Sequence, residues 1–528
     1  MCNPIHPRLA RPPHAALSTL QPATANPCSL NRRDFLGCVS GAVALGGAAF
    51  LAASQARAEA LSAVPGKPLP PGKPLRIKPV LIYVLDQPRE KTSWRSYGGL
   101  RKREDVDQEI QRLGEELKSL RAKAEFPAEL LPLSTVNTSA EATALAGTDC
   151  DAFLVFAASG AQQWLETFAA TKKPNVLFVR HKSGPVYLWY EIAHWRLLRK
   201  SEDVKAEPNL DFDDVVVDDY SDVLWRLRGL YGLKNARGTK VLAIGGLAAY
   251  SKPGQERGPA HAKEAWGFDI QTVTHDEVAK RLQQVRNDSG AMKVISRQAD
   301  ELLALPNVKL QTDRKFVVNT FVALKVFKDL MAETGATNVG VAQCMGGLIP
   351  ILDTPPCLVL SLINDEGLTG FCHTDMTHTM PGVLLRWISG KPSFVCNSHF
   401  PHHGVVTLAH CAAPRKMNGR DFEPTTIMTH YESDYGAATK VHYPKGQAVS
   451  CIVPNLRCTK WFAFRGKIVD SPDLDMCRSQ MDVEIDGDWK RLTKEMEGFH
   501  TVVCYGDYLR EVGYALKKVG AVEWINVS

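Results

Sequence analysis

From residue 79 onward the chain alternates short apolar runs with amphipathic stretches, the rhythm of strands separated by helices. Pro79-Val80-Leu81-Ile82-Tyr83-Val84-Leu85 is a continuous apolar run of strand length, the form taken by a strand covered on both faces. Residues 106–124 place Ile110, Leu113, Leu117 and Leu120 at helical spacing among alternating charges, which predicts an amphipathic helix. Residues 152–156 and 175–179 repeat the strand pattern around a helical segment near Trp164. The same alternation returns after Asp218: a strand at 239–246 ending in Gly245-Gly246, a helix at 321–333 and a strand beginning at Asn338. Beyond residue 393 the texture changes. Short runs at 404–408, 448–453 and 461–464 alternate with Pro, Gly and Asp turns, which suits a compact β domain or barrel.

The pattern predicts an α/β protein with two Rossmann-like parallel-sheet domains, at 79–217 and 218–392, followed by a β-rich, barrel-like domain at 393–528. Residues 59–78, rich in Pro, Gly and Lys, read as an exposed linker. The Gly245-Gly246 pair lacks the spaced glycines of a dinucleotide fingerprint and reads as a turn. Trp189, Tyr190, Trp266 and Trp461 are read as core aromatics before ligand-stacking platforms, because of the area each buries.

Residues 1–58 read as an address. Ser29-Leu30-Asn31-Arg32-Arg33-Asp34-Phe35-Leu36 resembles a twin-arginine export signal, followed by a weakly apolar Gly/Ala run and small residues near Ala56-Arg57-Ala58. The expected product is periplasmic or otherwise extracytoplasmic, with no stable membrane insertion after cleavage: no apolar stretch of spanning length follows residue 60. Cleavage changes the charge argument as well. The leader carries five arginines against Asp34, so the chain's net charge of +6 falls to +2 without it. Nucleic-acid binding needs a basic stripe and loses its support. Ten cysteines remain of thirteen, with no CxxC pair; Cys357, Cys372, Cys396 and Cys451 lie in apolar surroundings and read as small buried residues.

The chemistry concentrates late in the chain. Eight of fifteen histidines lie between His373 and His442, and His500 follows alone. Imidazole is the commonest transition-metal ligand and titrates nearest neutrality, so the cluster is a candidate site; a histidine-rich surface without a shared partner accounts for it equally well.

Pro356-Cys357-Leu358, Leu362-Ile363-Asn364-Asp365-Glu366-Gly367, residues 372–375, Leu384-Leu385-Arg386-Trp387-Ile388-Ser389-Gly390-Lys391-Pro392 and the segment from Asn397 through Leu408-Ala409-His410-Cys411-Ala412-Ala413-Pro414-Arg415-Lys416-Met417 carry a resemblance. So do Gly498-Phe499-His500 and Tyr505-Gly506-Asp507-Tyr508. Together they resemble the L-fucose/L-arabinose isomerase-like family. The resemblance implies aldose–ketose interconversion at a divalent metal, manganese by family usage, in a homo-oligomer acting on a small-molecule carbohydrate. It places the metal ligands at His373, Asn397, His410 and His500. The first two positions are carboxylates in the family, so here the site loses two negative charges, and zinc or another transition metal fits imidazole-rich surroundings better.

Proton transfer beside a carbonyl needs a base. Either His373 binds metal while Asp375 or Glu366 moves the proton, or His373 is itself the base and the metal is weak or missing. Asn364-Asp365-Glu366-Gly367 reads equally as a polar turn, His399, His402 and Asp375 are close enough in sequence to be substitute ligands, and His378 and His442 read as ordinary polar residues. The functions in view are an exported, metal-dependent sugar isomerase-like enzyme, including a related epimerase or lyase step; a catalytically inactive carbohydrate-binding relative; and a periplasmic metal-binding protein.

Overall fold

The computed structural model describes residues 63, 65–198 and 210–528, so the arginine-pair segment lies outside the described residues. The apolar run beginning at Pro79 belongs to β1 (Leu75–Ile82), buried at every position but one. It pairs in parallel with β2 (Ala128–Leu130), β3 (Ser134–Val136) and β4 (Ala152–Ala157), and the sheet continues through β5 (Asn175–Val179) to β6 (Val215–Val217). Helix α1 (Arg103–Lys123) closes one face with Val106, Leu113, Leu117 and Leu120, the spacing read from the sequence.

The linker boundary at residue 78 is corrected: β1 starts at Leu75, because Leu75 and Ile77 already face the core. The Pro/Gly segment before it is also tied down. Leu69 N–H donates to the Gly419 carbonyl (3.1 Å), Gly72 N–H to the Tyr231 hydroxyl (2.8 Å), and Lys416 Nζ to the Lys67 carbonyl (2.9 Å).

A second parallel sheet, in the order β11-β10-β7-β8, is built from β7 (Lys240–Ile244), β8 (Asp269–Val273), β10 (Asn338–Val341) and β11 (Thr369–Cys372). Gly245, at the end of β7, has φ +79° and packs against His275, whose Nε2 would lie 2.2 Å from an added Cβ; the glycine pair serves a tight turn. β9 (Val308–Leu310) leaves this sheet and pairs in parallel with β14 (Thr425–His430), itself antiparallel to β15 (Tyr435–Val441). A clean boundary at residue 393 therefore does not describe the molecule: a strand from the middle of the chain completes a sheet of the C-terminal part.

The barrel expectation is met by six antiparallel strands. They are β12 (Phe394–Ser398), β13 (Val405–His410), β16 (Ala448–Pro454), β17 (Lys460–Asp470), β18 (Ser479–Asp486) and β19 (His500–Tyr505). They run β16-β19-β12-β13-β18-β17, and β17 pairs back with β16 to close the ring; β20 (Glu523–Asn526) lies parallel to β17 outside it. Closure leaves no unpaired edge in the ring. Phe394, Cys396, Leu408, Cys451, Val453 and Val503 share the interior core. Alternate residues of the same strands face outward, where Val395, Ile452, Val502 and Cys504 pack on Phe371, Met380 and Leu384 of the second sheet's layer.

Three helices knit these layers. α2 (Tyr220–Ala236) gives Val223, Leu227 and Leu230 to the first sheet's core and Leu233 and Ala236 to the next. A helix apolar on several sides is one buried on several sides. It crosses α6 (Met376–Ser389) at Gly232, where an added Cβ would lie 2.1 Å from Ile388 Cγ1 and 3.0 Å from the Ile388 nitrogen. Gly232→Ala therefore trades a helix-propensity gain of about 1 kcal/mol against overpacking of about 1–3 kcal/mol. Thermal unfolding should show a lower midpoint; an unchanged or higher one would show that α2 and α6 are not in such close contact. Trp266 of α3 (Lys252–Trp266) stacks on Trp461 at 5.7 Å and 10°, and both are buried, as is Trp189: these are core residues. Tyr190 stacks on His181 instead. Leu61–Ser528 form one contact unit, and among the described residues no single helix is long and apolar enough to cross a membrane.

Candidate metal centre

Three segments meet beyond the C-terminal end of the second sheet: the turn from β11 into α6, the end of β13, and the start of β19. Ligand positions outside the carboxyl ends of parallel strands are where open α/β sheets place their sites. The turn is set by local chemistry. His373 takes a left-handed backbone (φ +73°), a region costly for most side chains but visited more readily by histidine. Thr374 then donates from Oγ1 to the Gly246 carbonyl (2.6 Å) and accepts from Ala248 N–H (2.8 Å). Asp375 caps α6 by accepting from Thr377 N–H (2.9 Å), and its other oxygen accepts from Tyr250 N–H (3.3 Å).

Two groups of side chains result, each with its ligand-capable atoms within 4.8 Å of one another. Cys372, His373 and His410 form one; Asp375, His378 and His500 form the other. They adjoin, since the rings of His373 and His500 are 5.9 Å apart and those of His378 and His500 5.1 Å. The sequence-predicted positions are thereby sorted. His373 and His410 share one group, His500 belongs to the other, and Asp375 joins His500. Asn397 sits directly opposite His500 across β12 and β19, so the two side chains share a face of the sheet. It is also opposite Ala409, which turns His410 to the other face by alternation; His410 comes to His373 from the end of its strand.

Glu366 is corrected outright as a catalytic candidate. It follows α5 (Cys357–Asp365) and precedes β11, whereas His373 follows β11, so a whole strand separates them. At about 3.3 Å per residue that is more than 10 Å. Glu366 instead holds Lys328 of α4 (Arg314–Thr334) by an exposed ion pair at 2.5 Å. Its neighbour Asp365 is buried and pairs with Arg415. Two residues of the resemblance motifs thus do structural work. His399 and His402 belong to neither group, and His402 Nδ1 contacts the Phe400 carbonyl instead (3.0 Å).

His378 is the residue the sequence reading missed. It is fully buried, neither ring nitrogen makes a well-formed hydrogen bond, and it lies at the N-terminal turn of α6. A buried imidazole left without partners is costly unless something else takes its lone pair. The available signal was the Asp375-x-x-His378 spacing, which puts both on one side of a helix start. His442, by contrast, is an ordinary polar residue, within 3.1 Å of the Thr426 hydroxyl.

The electrostatics favour neutral ligands. Burial, reinforced by repulsion from neighbouring imidazoles, lowers the pKa values of His378, His410 and His500 to about 3, so all three are uncharged at neutral pH. His373 is also lowered, by the protein packed around it and against the pull of Asp375 and Glu432, yet it remains solvent-accessible. One carboxylate and two neutral imidazoles, one of them on a ring with no well-formed hydrogen bond, make a donor set that can hold a metal ion. Beside it, Tyr250 is exposed, meets Phe499 edge-on at 4.5 Å and stands 6.4 Å from His500.

No protein-family model matches the chain, and no curated protein matches it. Among solved structures it is similar to a sugar ABC transport system substrate-binding protein from Bordetella parapertussis 12822. Identity is 13% with a TM-score of 0.13, over 57% of this chain and 83% of the other. That likeness is too low to bear on fold or function.

Proposed function

We propose that the chain is an exported, metal-dependent enzyme that moves a proton next to a carbonyl of a carbohydrate, as in aldose–ketose isomerisation or a related epimerase or lyase step. The observation that carries this reading is the convergence of Asp375, His378 and His500 within 4.8 Å of one another, with His373 alongside. The resemblance of residues 356–417 and 498–508 to sugar isomerases supplies the reaction class, and the Arg32-Arg33 segment supplies the address.

Asp375, His378 and His500 would hold the ion; when bound, it supplies positive charge for a sugar's carbonyl and neighbouring hydroxyl oxygens. The base is then His373. Asp375 is buried and engaged with two backbone N–H groups, and Glu366 lies at the far end of β11. His373 is accessible and neutral at pH 7, so its ring nitrogen can take a proton from one carbon and return it to the next. Tyr250 offers an exposed aromatic face for the apolar side of a sugar ring.

Residue roles separate in the test. Protein purified without chelator is analysed for metal and screened on aldoses for ketose formation. His373→Asn should keep the ion held by Asp375, His378 and His500 and lose roughly 10²–10⁴-fold in kcat, whereas His378→Gln and His500→Gln should lose that ion. Metal-free protein without turnover on any sugar would defeat the proposal. Metal and tight sugar binding without turnover would point to a carbohydrate-binding relative.

A further inference from the structure

The group formed by Cys372, His373 and His410 differs in kind from the one just described. It contains a thiol and two imidazoles but no carboxylate. Thiol donors select thiophilic ions, whereas carboxylates favour harder ones, and mixed sulfur–nitrogen sets are typical of zinc. We infer that this chain carries a second cation site, for a thiophilic ion such as Zn²⁺ or Cu⁺, made by Cys372, His373 and His410.

The surroundings are sulfur-rich in a way that packing does not demand. Cys357, Cys372 and Cys411 are buried in one core, with Cys344 and Cys477 packed against it, and all five are free thiols. Cys344 contacts the Cys372 sulfur, so a further thiol stands beside the group without belonging to it. Cys411, next in sequence to His410, accepts from Arg478 N–H (3.4 Å). In the metal-free protein Cys372 is held as the neutral thiol by Cys344 and by burial. Ligation replaces the Sγ–H bond with an Sγ–metal bond and releases that proton to solvent. His410 Nδ1 accepts from Cys411 N–H (2.9 Å), and an ion ligated at Nδ1 would take over that lone pair.

The site has a consequence for the neighbouring group. A ligated His373 has no free lone pair with which to accept a proton, so occupancy by a thiophilic ion blocks the base named above. The binding itself does not depend on that role.

Cobalt(II), a spectroscopic substitute for zinc, gives a near-ultraviolet charge-transfer band only when bound by thiolate. Full-length protein is titrated with Co²⁺ under a phosphine reductant, so that Cys344 and Cys372 stay reduced. Two equivalents should bind, one of them raising the thiolate band. Cys372→Ser should lose the band and one equivalent; His378→Gln should lose the other equivalent and keep the band. His373→Asn changes an accessible residue and repeats the first test without altering the core, and Cys344→Ser should weaken the band-producing ion about tenfold. A band that persists in both Cys372→Ser and His373→Asn, or binding without a band in the unaltered protein, would overturn the inference. Sugar turnover enters none of these readings, so failure of the proposed reaction and failure of this site are told apart.

Discussion

The metal-free protein is expected to lose about 6 kcal/mol of folding stability between pH 7.5 and pH 5, from three histidines alone. His378, His410 and His500 each have a pKa lowered to about 3 in the folded chain, by burial first and by one another second. In the unfolded chain each returns to about 6.5. Between those values the unfolded state binds more protons, so acid draws the equilibrium toward it. The contribution is complete above about pH 6.5 and is lost as pH falls toward 3. At pH 5 it amounts to about 2 kcal/mol per residue. Against a typical total of about 5–15 kcal/mol, that is enough to bring the chain near its unfolding midpoint. Denaturant unfolding in chelator across this range measures it, and His500→Gln should flatten the curve by about a third. A loss below about 1 kcal/mol would mean that these rings are solvated or partnered in the folded protein.

Asp365→Asn is expected to cost about 3–5 kcal/mol. Asp365 ends α5 and accepts from Arg415 twice, from Nε at 2.7 Å and from the backbone N–H at 2.9 Å, with both side chains buried. Burial raises the Asp365 pKa even against the pull of Arg415, so desolvation outweighs attraction. The pair is therefore a device for positioning more than a net source of stability. It fixes the segment after β13, and with it His410, against the layer that carries β11. Removing one partner strands the other as an uncompensated buried charge. The double variant Asp365→Leu with Arg415→Met should recover a large part of the loss in chemical denaturation. If the single substitution costs under 1 kcal/mol, water reaches Arg415 and the pair is not sealed.

Much of the fold was legible because its signals are local. The leucines of α1 recur at helical spacing, the run at Pro79 is apolar at successive positions, and the β-rich texture after residue 393 comes from closely spaced turn residues. What misled was distance along the chain used as a measure of distance in space. Glu366 and His373 are close in sequence, yet β11 runs between them and carries them apart. The Pro/Gly segment before β1 reads as a free linker because its partners, Tyr231, Lys416 and Gly419, are far away in sequence.

By itself the sequence determined most of the kinds of elements and the wealth of imidazole and thiol near the end of the chain. Only the tertiary structure decided which of them share a site. Strand register sets Asn397 against His500 and turns His410 the other way, and the left-handed backbone at His373 parts its side chain from that of Asp375. His378 shows the division most plainly. Read from the sequence it is an ordinary polar residue, but the approach of β19 and the packing of Phe371 bury it with neither ring nitrogen in a well-formed hydrogen bond. Burial and pairing belong to the assembled layers, and they, more than residue type, decide which imidazoles are candidate ligands.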